Sequence, residues 1–96
     1  MIGVVVRIQS KPGEEQVVED QMKAFASECI EKEPGTLLYT IVRDDDGLGT
    51  MEIYQDEAAF RAHGATPHHA ENVRILSDKV ADVSIKASKV LHHPTR

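Results

Sequence analysis

The 96-residue sequence predicts an α+β, ferredoxin-like domain in the order β-α-β-β-α-α-β, with an antiparallel sheet and its helices on one face. Three observations carry that expectation. The chain opens on alternating aliphatic residues, "IGVVVRIQ"; apolar residues at helical spacing then run up to Pro34-Gly35; and "DDDGLG" divides two strand-like runs in the manner of a hairpin.

Each element has a local cause. Ile2, Val4, Val6 and Ile8 alternate with Gly3, Val5, Arg7 and Gln9, which gives a first strand rich in β-branched residues. "SKPGEEQ" supplies a turn and a helix start, with Gly13 as the expected cap and Glu14 and Glu15 at the positive end of the helix dipole. Val18, Met22, Phe25, Ala26, Cys29 and Ile30 form the apolar stripe of a helix reaching about Glu33. A second strand, Thr36 to Arg43, is apolar on both faces; the third, Thr50 to Gln55, sets Met51 and Ile53 opposite Glu52 and Tyr54. Asp56 caps a short helix to His63. Thr66 caps another, with Pro67 at its first position and Ala70, Val73, Leu76 and Val80 as its stripe. Ala81, Val83, Ile85 and Ala87 alternate in a last strand before the tail "LHHPTR". With no repeat and no linker, residues 1–96 read as a single domain. Helices can cover only one face of the sheet, yet strands one and two are aliphatic on both, so a symmetric homodimer through the uncovered face is expected.

Composition narrows the function. At 41% hydrophobic, 28% charged and 4% aromatic, the chain has the profile of a folded domain with an aliphatic core. A net charge of −5 with scattered Lys and Arg offers no basic stripe for a phosphate backbone, so nucleic acid is not an expected partner. No apolar run approaches a membrane span and no leader pattern opens the chain, so no membrane partner and a cytoplasmic location are expected. Cys29 is the only cysteine, which suits a reducing compartment.

The chemistry-bearing residues concentrate in "AFRAHGATPHHAENV", which holds three of the five histidines. His63 shares a helical face with Phe60 and Ala59 and is expected to point inward. His69 falls near the centre of the following helix's apolar stripe, and His68, about a quarter-turn away, at the rim of the same space or in solvent. Tyr39, Glu52 and Tyr54 lie on the hairpin strands, where a carboxylate and a phenol on one face could bind a hydroxylated ligand or steer an imidazole. No H-x3-H, H-E-x-x-H or C-x-x-C pattern is present, and adjacent His68 and His69 cannot easily face one ion, so no metal is expected. "DDDG" departs from a calcium loop in its glycine position. No flavin, nicotinamide or nucleophile motif occurs, so no cofactor is expected, and Cys29 reads as a small hydrophobe.

The stretches "KPGEEQ", "EPGTLLYTIVRD", "EIYQDEAAFRAH" and "TPHH", in that order and spacing, resemble the antibiotic biosynthesis monooxygenase family of the dimeric α+β barrel superfamily over nearly the whole chain. The resemblance implies a homodimer whose sheets pack together, with a ligand cavity between sheet and helices in each protomer. It further implies oxidation of a small phenolic or quinol-like aromatic by O2 with no metal or flavin. Glu33, Gly35, Tyr39, Glu52, Tyr54, His63 and His68 fall on recurrent family positions, whereas His69 stands where the family often has Phe. On this reading His63 and His68 are the acid–base candidates, and Tyr39, Glu52, Tyr54, Phe60 and His69 line the substrate pocket. The haem-degrading branch is disfavoured, because His63 replaces its usual Trp and Val73 its iron-ligating His. Two other readings stay open: an isomerase of a small hydroxy-ketone, and a non-catalytic dimeric binding protein.

Overall fold

A computed structural model describes residues 1–96. Its elements are β1 (Ile2–Ser10), α1 (Glu15–Lys32), β2 (Thr36–Asp44), β3 (Gly47–Tyr54), α2 (Glu57–Gly64), α3 (Pro67–Leu76) and β4 (Val80–Lys89). The expected ferredoxin-like order is therefore present. All pairings are antiparallel and the sheet runs β2-β3-β1-β4. Val4, Val6 and Ile8 point to the helical face, and α1 lays Val18, Met22, Phe25 and Cys29 on that side to form the core with Ile8, Leu48 and Leu76. Each such aliphatic side chain removed from water contributes about 1.5–3 kcal/mol.

Local differences from the sequence reading have definite causes. Gly13 does not cap α1: it takes φ +83° in the preceding turn, and Glu14 is the N-cap residue without a side-chain bond. The hairpin turn is shorter than "DDDGLG". Asp45 and Asp46 alone form it, Gly47 (φ +123°) opens β3, and Leu48 is drawn into the core at 4% exposure. β2 bulges between Thr36 and Leu38, which leaves Leu37 48% exposed.

α3 departs furthest from its predicted face. Ala70 and Val73 of the expected stripe are exposed, while Asn72 and Leu76 are buried and His68, His69 and Ile75 are partly so. The stripe also ends at Leu76, because Val80 belongs to β4. That strand sits at the sheet edge with Val83 48% and Ile85 66% exposed, so the helices do not close over it.

Gly35, the residue before β2, packs directly against Ala59 of α2. A Cβ there would lie 2.5 Å from the Ala59 Cβ, while the Gly35 carbonyl accepts a bond from Gln55 N at 2.8 Å. Gly35→Ala must therefore push α2 outward. We expect a loss of about 1–3 kcal/mol, read as a melting temperature lower by about 5–20 °C; an unchanged transition would show that α2 gives way freely.

Candidate functional site

Two local devices place the histidines. Asp56 caps α2 by accepting from Ala59 N at 2.8 Å, which fixes the helix that carries Phe60 and His63. Thr66 then links the helices: its hydroxyl donates to the His63 carbonyl at 3.0 Å and accepts from His69 N at 3.1 Å. One side chain thus sets the spacing between the segment that ends in His63 and the segment that begins with His68 and His69.

A cavity of about 760 Å³ lies between sheet and helices, within the size of small-molecule sites. Val4, Val6 and Ile8 of β1 form its floor, and Val80, Val83 and Ile85 its wall along β4, which is also its open side. His63, Tyr39, Glu52, Phe60 and His69 all line the cavity, together with Asn72.

Two predicted residues stand elsewhere. Tyr54 is wholly buried behind Glu52, to which its hydroxyl donates, and does not reach the cavity. His68 is neither at the rim nor in solvent: its side chain is 10% exposed, and Nε2 bonds the Glu33 carboxylate. Both members of the adjacent pair turn inward, His69 to the cavity and His68 to a buried anion.

Glu33, the C-cap residue of α1, is the hub that the sequence marked only as a family position. It is 8% exposed and accepts from Thr36 Oγ1 at 2.6 Å, from His63 Nδ1 at 2.9 Å and from His68 Nε2. Burial pushes its carboxyl up, but the hydrogen bonds from Thr36, His68 and His63 outweigh that and hold it below the ordinary carboxylate range. An ionised carboxylate only accepts, so both rings must donate to it. His63 then carries its proton on Nδ1 and keeps its lone pair on Nε2. Nε2 has no partner within the protein, and since no buried side-chain nitrogen or oxygen is left unpaired, it opens onto the cavity.

Aromatic rings frame this imidazole. The ring centres of Tyr54, Tyr39 and Phe25 lie 5.2, 5.8 and 5.8 Å from that of His63, and His69 meets it edge-on at 5.1 Å. Glu52, 4% exposed on the central strand β3, accepts from the hydroxyls of Thr50 and Tyr54. Burial, and then the charge of Glu52, raise the Tyr39 phenol; burial and the Glu52 hydrogen bond raise that of Tyr54. Both phenols therefore serve as donors rather than bases. Cys29 is fully buried, and burial followed by the charge of Glu33 pushes its thiol up, which removes it as a nucleophile. Burial and the neighbouring His63 lower His69, so its ring stays neutral and can accept or donate to a ligand.

Since His69 makes no side-chain bond and stands where the resembled family often has Phe, His69→Phe is expected to change KM with little change in kcat. Steady-state kinetics decide this. A fall in kcat as large as that from loss of His63 would move His69 into the proton-transfer step.

The sequence profile of one family, described as antibiotic biosynthesis monooxygenase, matches residues 1–74. No curated protein matches. Among solved structures, a Bacteroides thetaiotaomicron protein provisionally described as an antibiotic biosynthesis monooxygenase is 24% identical with a TM-score of 0.87, covering 99% of this chain and 93% of its own. Rv0793 from Mycobacterium tuberculosis is 18% identical with a TM-score of 0.87 and 98% of each chain covered. A conserved protein from Methanosarcina mazei is 25% identical with a TM-score of 0.83, covering 92% of this chain and 90% of its own. These likenesses concern the fold.

Proposed function

The chain belongs to the antibiotic biosynthesis monooxygenase family, and from that premise we propose a monooxygenase that oxidises a small phenolic or quinol-type aromatic with O2, without metal or flavin. The observation that carries this reading is the His63 imidazole, fixed at Nδ1 by Glu33 and offering Nε2 to a largely apolar cavity. Nε2 takes the proton of a bound phenol or of an acidic CH2 beside one. Glu33 stabilises the imidazolium that forms, as the carboxylate does in a triad. The electron-rich anion then passes electrons to O2; where the substrate is a CH2 of anthrone type, it becomes C=O and the second oxygen leaves as water. The apolar walls of β1 and β4 keep bulk water from the intermediates. Tyr39 and Glu52 orient the substrate, Phe60 packs beside it, and His68 anchors Glu33 from behind.

The test is oxygen uptake by metal-stripped protein over a panel of quinols and anthrones. Uptake that disappears in His63→Gln supports the proposal. Turnover unchanged under strict anaerobiosis would instead indicate an isomerase using the same imidazole.

We further propose that residues 1–96 act as one domain, in the cytoplasm, as a homodimer. The sheet face away from the helices exposes Val5 (50%) and its cross-strand neighbour Met51 (46%), an apolar patch that a second copy would cover. No helix is long and apolar enough to cross a membrane. Sedimentation equilibrium is expected to give twice the chain mass, and Met51→Lys to give the monomer; a wild-type monomer at micromolar concentration would remove this part.

A further inference from the structure

Behind His63, on the side away from the cavity, donor atoms of three residues converge, and His63 Nδ1 adjoins two of them. Cys29 Sγ, a Glu33 carboxylate oxygen and a ring nitrogen of His68 lie within 4.8 Å of one another. His63 Nδ1 stands 3.9 Å from Cys29 Sγ and 2.9 Å from Glu33 Oε1. Around a tetrahedral ion with bonds of about 2.0–2.3 Å, donors are separated by roughly 3.3–3.8 Å. Cys29, Glu33 and His68 thus offer three donors to one position, and His63, in contact with two of them, is placed to supply a fourth as the Glu33 contacts widen to admit an ion.

We propose that Cys29, Glu33, His63 and His68 form a binding site for a divalent transition metal, Zn2+ by its donor set, and that its occupation silences the base. One thiol, one carboxylate and two imidazoles match the ligand types of four-coordinate zinc and are too soft for Mg2+ or Ca2+. The donors arrive in two short spacings. Cys29 and Glu33 lie one turn apart at the end of α1, and His63 and His68 flank the Thr66 junction between α2 and α3. The site is buried, with Cys29 0%, His63 5% and Glu33 8% exposed, so hydration does not compete strongly once the ion is seated. Cys29 packs in the core, and its sulfur makes only a weak 3.9 Å contact to His63 Nδ1, which leaves its lone pairs free for an ion.

The consequence for chemistry follows from proton balance. The ion displaces the thiol proton, which is released. His63 ligates through Nδ1, its single ring proton moving from Nδ1 to Nε2; His68, ligating through Nε2, likewise carries its own proton on Nδ1. The nitrogen that faces the cavity has then changed from acceptor to donor, and the base is lost. Metal binding stands independently of the proposed reaction; only the silencing rests on His63 as its base.

The experiment uses the reduced, metal-free full chain and Co2+ as a spectroscopic stand-in for zinc. One equivalent per chain is expected to produce a thiolate-to-cobalt charge-transfer band and intense tetrahedral ligand-field bands, which Zn2+ then bleaches. Cys29→Ser should remove the charge-transfer band, and His68→Gln should weaken binding at least tenfold, each with a folded far-ultraviolet spectrum. Binding without a charge-transfer band, or binding lost on replacing His92 and His93 of the tail instead, overturns the site. In the activity arm, Zn2+ should abolish oxygen uptake by the wild type and spare Cys29→Ser; bands that form with uptake undiminished overturn the silencing. A chain that gives the cobalt spectrum yet consumes no oxygen on any substrate refutes the monooxygenase reading and leaves the metal site standing.

Discussion

His63→Gln is expected to lower kcat by about 10²- to 10⁴-fold, the usual contribution of a positioned acid–base group, with KM nearly unchanged. Gln can still donate its amide N–H to Glu33, so the buried carboxylate keeps a partner where His63 Nδ1 stood at 2.9 Å. What Gln lacks is the basic lone pair that His63 offers through Nε2. The neighbouring phenols and thiol cannot substitute. Burial and the charge of Glu52 keep the Tyr39 phenol protonated, burial with the Glu52 hydrogen bond does so for Tyr54, and burial keeps the Cys29 thiol protonated. A loss confined to the transition state lowers kcat and kcat/KM together. Retention of more than a tenth of wild-type kcat by a folded His63→Gln protein would place the base elsewhere.

The frame was legible because its signals are local. Alternation in Ile2–Ser10 and the apolar spacing from Val18 to Cys29 belong to contiguous residues, and the caps Asp56 and Thr66 act three residues ahead. The site was legible in its members but not in its wiring. His63 was placed inward by its helical face, yet the reason it can be buried is Glu33, 30 residues earlier. α3 misled for the same reason: a hydrophobicity pattern assigns His68 and Asn72 to water, whereas each is held inside by a partner far along the chain, Glu33 for one and Gln21, 51 residues earlier, for the other. On β3 the alternation was visible, but not which side faced in. The inward side proved to be the polar one, Thr50, Glu52 and Tyr54, because these three satisfy one another. Periodicity finds faces; it does not find polar groups that are buried in mutual compensation.

The second large effect is expected from Glu33→Ala. Removing the carboxylate strands the donors of Thr36, His63 and His68 in a space only 5–8% exposed at Glu33, Thr36 and His63. Deleting one partner of a buried ionic network costs about 3–5 kcal/mol, which for a domain of this length lowers the melting temperature by on the order of 15–30 °C. Glu33→Gln keeps the shape and one acceptor and should lose less than half of that. The two proteins also differ in their response to acid. Since the folded state holds the Glu33 carboxyl below its ordinary value of about 4.5, its stabilisation is complete above that pH and shrinks as the pH falls through the lower native value. The wild-type advantage over Glu33→Gln should therefore be constant near neutrality and narrow on acidification. Melting curves of the two proteins that stay parallel from pH 7 down to acid unfolding would show that Glu33 is not the ionised anchor of both rings. A double substitution with His63→Gln distinguishes anchor from bystander in the reaction: if Glu33 acts through His63, adding Glu33→Gln to His63→Gln should cost little further kcat.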